Sequence, residues 1–184
     1  MMDSQLLSLK RKAAHYHEVL QNTDKYRKVW QDELKEMITR HLEDLQEELE
    51  LVGSVECRSE MENLEAIVLS LGEMRSGIHQ KVNEDIKRHL IKHNGSLIYQ
   101  QLFNGKIIVL INYPFIEGYG KPAPPKTVAI YRPEELKEPF FIRHMEEFLA
   151  EITRWEDYDD DAPQPHQRIG FDMNFGSPQE EQID

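Results

Sequence analysis

The stretch HLIKHNGSLIYQQLFNGKIIVLINY, residues 89–113, contains the point where the chain changes its rhythm. Upstream of Asn94-Gly95, apolar residues recur every three or four positions. Downstream they fall in two short runs, 96–103 and 106–113, on either side of Asn104-Gly105. Asn-Gly between such runs is the strongest short-range hairpin signal, because both residues of the tight turn take positive φ. A two-residue loop sets Phe103 opposite Lys106, Leu102 opposite Ile107 and Gln100 opposite Val109. One face of the hairpin then carries Ile98, Leu102, Ile107, Val109 and Ile111. The second run is apolar on both faces, as a well-covered central strand is.

Working back from the hairpin, three helices are expected. Leu6, Leu9, Ala13, Tyr16 and Leu20 are spaced 3-4-3-4, one helical stripe. Asn22-Thr23-Asp24 interrupts it and offers an N-cap for the next helix. That helix carries Trp30, Leu34, Ile38, Leu42, Leu45, Leu49 and Val52, the last five spaced like a heptad seam. Gly53-Ser54 breaks the pattern. A third helix takes Leu64, Val68, Leu71, Met74, Ile78, Val82, Ile86 and Leu90, with Asn94-Gly95 as a left-handed C-cap. The boundaries are about 3–21, 25–52 and 60–93. The two long helices, joined by a short connection, are expected to be antiparallel neighbours.

Working forward, Pro114 ends the hairpin's second strand. Residues 115–126, with Gly118, Gly120, Pro122, Pro124 and Pro125, form a stiff loop. Residues 127–131 make a third strand. Pro133-Glu134-Glu135 resembles a helix opening, with Pro early and acids in the first turn. From Pro139 a last helix carries Phe140, Phe141, Met145, Phe148, Leu149, Ile152 and Trp155, and ends near Trp155. An acidic link and tail, 159–184, then bears Ile169, Phe171, Met173 and Phe175 in strict alternation, the period of a half-buried strand 169–175. The fold class is therefore α+β: a long antiparallel helical hairpin plus further helices, packed with a small antiparallel meander of three strands, or four with the tail. Residues 1–95 form a helical region and 96–158 the β-hairpin, third strand and C-terminal helix, all in one structural domain.

Charge is unevenly spread. The chain has a formal net charge of −12, and residues 133–184 hold 15 acidic against 4 basic residues. That argues against broad binding to a nucleic acid backbone, which needs clustered Lys and Arg. The longest apolar run, 107–111, is far too short to span a bilayer. The N-terminus lacks the charged leader and apolar core of a secretory signal. A single cysteine, Cys57, allows no internal disulfide. A cytoplasmic protein without membrane or nucleic acid partners is expected.

No motif forces a reaction. Asp85, His89 and His93, spaced i, i+4, i+8 on the expected third helix, share one face and have the chemistry to hold a divalent metal. Histidines near a helix C-terminus are favoured by the dipole alone, and no metal and no cofactor are expected. Cys57 beside Arg58 lacks any cysteine-enzyme signature. No Gly-x-Ser-x-Gly elbow is present. Gly118-Tyr119-Gly120-Lys121 lacks the spacing of a phosphate loop. Glu134/Glu135 and Glu146/Glu147 are paired carboxylates that sequence does not place in a cleft. Lys10-Arg11-Lys12, followed by Lys25, Arg27 and Lys28, reads as a solvated helix face. The expected function is a non-enzymatic protein–protein interaction or assembly module that leans toward a homodimer. Ile169, Phe171, Met173 and Phe175 are expected to dock on a sheet edge or a partner. Two alternatives stand beside it: an acidic inhibitor or immunity-like protein covering a basic partner, and a small enzyme or ligand-binding protein with a pocket between helices and sheet.

Overall fold

The computed structural model describes residues 2–158. Met2–Val29 forms α1 and Lys35–Glu48 forms α2, joined by one π-helical turn at Trp30–Leu34. The three pieces make a single rod, roughly 70 Å long at 1.5 Å per residue. The expected break at Asn22-Thr23-Asp24 does not occur. The Thr23 hydroxyl donates to the Val19 carbonyl and Asp24 pairs with Arg27, so both cap-type side chains are used inside the helix.

The π turn has a packing reason. Trp30, Leu34, Ile38 and Leu42 are all buried and spaced by four. A regular helix of 3.6 residues per turn rotates such a row off its face, and a wider turn holds it there. Of the expected heptad seam, Ile38, Leu42 and Leu45 pack, whereas Leu49 and Val52 lie beyond α2 and are exposed.

Among the described residues eight strands follow: β1 Ser54–Arg58, β2 Ala66–Ser70, β3 Glu73–Lys81, β4 Lys87–His93, β5 Ser96–Gln101, β6 Ile107–Asn112, β7 Phe115–Ile116 and β8 Lys126–Tyr131. They form a five-stranded sheet ordered β1-β2-β5-β6-β8 and a three-stranded sheet ordered β3-β4-β7, with every pairing antiparallel. After a 3₁₀ turn at Pro133–Glu135, α3 runs Glu138–Glu156, as the sequence leads one to expect. The rod from Trp30 onward and α3 cover one face of the five-stranded sheet. The core between them includes Trp30, Ile67, Leu69, Leu97, Tyr99, Ile111, Phe141 and Phe148.

The mixed α+β character is as expected, but the architecture is not a helical hairpin with a meander. Residues 60–93 are β2, β3 and β4 rather than a third helix. Ala66–Ser70 is apolar on both faces, so its residues fit a helical spacing as readily as a strand. Gly72, Gly77 and Gly95 have φ of 74°, 79° and 93°. They mark the β2–β3 turn, a bulge in β3 and the β4–β5 turn, not the interior of a helix and its cap. Leu71 N–H donates to the Gly95 carbonyl and Asn94 N–H to the Gly72 carbonyl, so the β3–β4 ribbon continues β2 and β5 around a corner.

The hairpin at Asn104-Gly105 forms, with a register one residue from expectation: Gln101 faces Ile107 and Tyr99 faces Val109. Leu102 N–H bonds the Lys106 carbonyl and Gly105 N–H the Leu102 carbonyl, so the loop is Phe103-Asn104-Gly105 with Gly105 at φ 76°. This is the three-residue loop whose last residue is left-handed, rather than the two-residue turn. The slip moves every side chain of one strand to the other face. Leu97, Tyr99 and Gln101 join Ile107, Val109 and Ile111 inside, while Ile98 packs with Val68 and Leu110 on the opposite face.

Candidate functional site

Asp85, His89 and His93 do not share a helix. Asp85 lies in the β3–β4 turn, and both histidines are on β4. The His89 ring sits edge-on to His79 across the ribbon, with centroids 4.3 Å apart. His93 stacks on Phe115 and lies 3.0 Å from Glu73 and 2.9 Å from Glu117. Among the described residues no three His, Cys, Asp or Glu side chains converge as metal ligands. Cys57 is exposed on β1, and its neighbour Arg58 is held by Glu56 at 2.8 Å. Ile169, Phe171, Met173 and Phe175 lie outside the described residues.

Three buried polar clusters went unread in the sequence. In the first, Glu65 accepts from Trp30 Nε1 (2.8 Å), Gln31 Nε2 (3.1 Å) and Lys35 Nζ (3.1 Å). Burial pushes the Glu65 carboxyl up, but the hydrogen bonds from Trp30 and Lys35 and the Lys35 charge outweigh it and hold it below the usual range. In the second, Glu151 accepts from Tyr113 Oη (2.9 Å), Lys126 Nζ (2.8 Å) and Arg154 Nη1 (3.1 Å). Here too desolvation is overcome, with Lys126 and Tyr113 the chief partners. Lys126 also closes on Glu147 at 2.9 Å.

In the third, His144 is fully buried between two phenols, with Tyr99 Oη 2.9 Å from Nδ1 and Tyr131 Oη 2.9 Å from Nε2. Arg143 donates to the same Tyr131 oxygen at 3.1 Å. Desolvation, with a smaller push from Arg143, lowers the His144 pKa to about 4, so the imidazole is neutral at pH 7. Burial drives Tyr99 far above its ordinary value. Such a row of groups resembles a proton relay. Tyr99 and His144 lie inside the core, Tyr131 is half-buried and Arg143 is exposed, and both imidazole nitrogens are occupied.

A cleft of about 510 Å³ opens elsewhere, where the π turn meets the 3₁₀ turn and the start of α3. Its apolar floor includes Val29, Leu34, Met37 and Leu136, with Glu33 and Glu134 among its polar residues. None of its lining residues is a histidine, cysteine, serine or threonine. The buried clusters and the cleft therefore do not coincide, and the acid–base groups at the cleft are carboxylates such as Glu33 and Glu134.

Among the described residues, α1 carries a long run of exposed positions. Residues 4–21 are all exposed, whereas the same rod is buried at Trp30, Leu34, Ile38 and Leu42. The stripe at Leu6, Leu9, Ala13, Tyr16 and Leu20 faces solvent, with Leu9 62% and Tyr16 61% exposed. The body takes over at Thr23 and Tyr26, which lie against the β5–β6 turn at Gly105, and at Arg27, whose Nη2 donates to the Phe103 carbonyl at 3.0 Å. No helix among the described residues is long and apolar enough to cross a membrane. No family model, no curated protein and no solved structure matches the chain.

Proposed function

We propose that this protein is a non-catalytic assembly module that engages a protein partner through the free end of α1. The observation that carries this reading is the exposed helix 4–21 with its 3-4-3-4 apolar stripe. An isolated helix of that length is marginal in water, because most helical stability comes from packing an apolar face. Contiguous apolar surface of this kind marks an interaction site. The single cysteine supports a reducing, cytoplasmic setting. The segment 169–175 remains a second docking element of this reading, suited to an open sheet edge such as β1 or β3.

The acidic-inhibitor reading has less support. Glu147 and Glu151 close on Lys126 and Glu156 on Lys92, so part of the α3 charge is spent within the molecule. The enzymatic reading would have to rest on the carboxylates Glu33 and Glu134 at the cleft, away from the buried His144 cluster. A photo-crosslinking residue placed at position 13 of the full chain in cells tests the proposal. Protein adducts are expected at position 13, lost in Leu9→Glu/Leu20→Glu, and scarce with the probe at Arg11 on the outer side of the helix. Equal labelling at both positions, or none at 13, contradicts it.

A further inference from the structure

We infer that the partner of α1 is a second copy of this chain, laid antiparallel on the stripe so that Leu9 meets the partner's Leu20 and Ala13 meets the partner's Tyr16. The inference rests on the reading of α1 as an interaction helix. A 3-4-3-4 repeat has a mean period of 3.5, the period that keeps one seam facing a neighbouring helix along its length. A two-fold arrangement lets the same patch serve both copies.

Side-chain size selects the direction. Antiparallel pairing sets the smallest seam residue, Ala13, against the largest, Tyr16, twice per dimer. A parallel, in-register pair stacks Tyr16 on the partner's Tyr16 and leaves Ala13 facing the partner's Ala13 across a gap. Charge selects the same direction. The parallel pair holds Lys10 and Lys12 level with their own copies on the flanks of the seam, which costs free energy. In the antiparallel register Lys10 flanks the partner's His17 and Lys12 flanks the partner's Val19.

Length fits as well. In this register Leu6 reaches the level of the partner's Thr23, the point where α1 meets the body through the Gly105 turn. The seam positions 20, 23, 27 and 30 continue one spacing, and Trp30 is buried in the body. The body takes over at Thr23 and Tyr26 and so stands where the incoming helix ends. Phe103, 77% exposed beside Arg27, stands at that stop, where the partner's first turn arrives. The exposed stretch 5–21 is thus used in full, and the two bodies sit at opposite ends of the helix pair.

The test uses the full chain in a Cys57→Ser background, with Leu9→Cys and Leu20→Cys prepared separately and given tags of different mass. Each is oxidised alone and mixed. A mixed disulfide dimer is expected to form roughly tenfold faster, or more, than either like dimer, because only the mixture brings the thiols together at high effective concentration. Like dimers that form as fast as the mixed one indicate a parallel pair and overturn the inference. So does the absence of any disulfide dimer. The position-13 photoprobe separates the two failures: adducts only with other proteins overturn self-pairing and leave α1 as an interaction helix, and no adducts at all remove both.

Discussion

The indole N–H of Trp30 donates to Glu65 Oε2 at 2.8 Å, and this bond stands where the long rod passes from free helix to packed helix. Trp30 is fully buried, and Glu65 leads into β2. The π turn brings Gln31 and Lys35 onto the same carboxylate. The bond ties the rod to the sheet at the base of the projecting segment. Trp30→Phe keeps most of the apolar volume and removes the donor. It is expected to cost about 2 kcal/mol in denaturant unfolding, the range for a buried hydrogen bond to a charged group. An unchanged midpoint would show that Lys35 and Gln31 alone satisfy Glu65.

Acid should destabilise the fold before the carboxylates titrate. The His144 pKa drops from 6.5 to about 4 on folding, so between those values the unfolded chain binds the extra proton. Stability is then full above pH 6.5 and falls as the pH is lowered toward 4, by about 3 kcal/mol at most. Glu65 and Glu151 are held below their ordinary 4.5, so their contributions are lost only at lower pH. His144→Gln keeps hydrogen-bonding capacity without the titration. It should flatten the unfolding free energy between pH 4 and 6.5, and an unchanged slope would assign the effect elsewhere.

Two glycines at positive φ separate strain from crowding. At Gly77, φ is 79° and an added Cβ meets nothing within 4 Å. Gly77→Ala should therefore cost only the left-handed backbone penalty, about 1 kcal/mol. At Gly105, φ is 76° and an added Cβ lies 2.8 Å from Tyr26 Cβ and 3.0 Å from the Thr23 carbonyl. Gly105→Val adds a β-branched side chain under α1 and should cost about 3 kcal/mol. Equal melting shifts for the two variants would contradict the close approach of α1 to this turn.

How much of this was legible depends on the element. Asn104-Gly105 announced the hairpin, and Phe141, Met145, Phe148 and Ile152 announced α3. The loop length was not legible, because Asn-Gly serves both a two-residue turn and the three-residue loop that carries Gly105 in the left-handed region. The strands at 60–93 read as helix because Leu64, Val68 and Leu71 fall four and three apart and Ile78, Val82, Ile86 and Leu90 fall four apart. Gly72 and Gly77, together with β-branched residues in that stretch, were the signal for strands. Of the candidate site, the stripe from Leu6 to Leu20 was plain from spacing. Its exposure among the described residues was not, since it follows from the helix running unbroken through Asn22-Thr23-Asp24. The buried clusters at Glu65, Glu151 and His144 join residues distant in sequence, and no local pattern marks them.

The account turns on whether residues 4–21 are covered by a second copy. Amide hydrogen exchange of the full chain, measured residue by residue over a range of protein concentrations, asks this directly. Protection of residues 4–21 is expected to rise with concentration, strongest at Leu9, Ala13, Tyr16 and Leu20, while protection in β5 and β6 stays constant. The rise should vanish in Leu9→Glu/Leu20→Glu. Fast exchange throughout 4–21 at every concentration, or protection that is already complete and independent of concentration, would contradict the account.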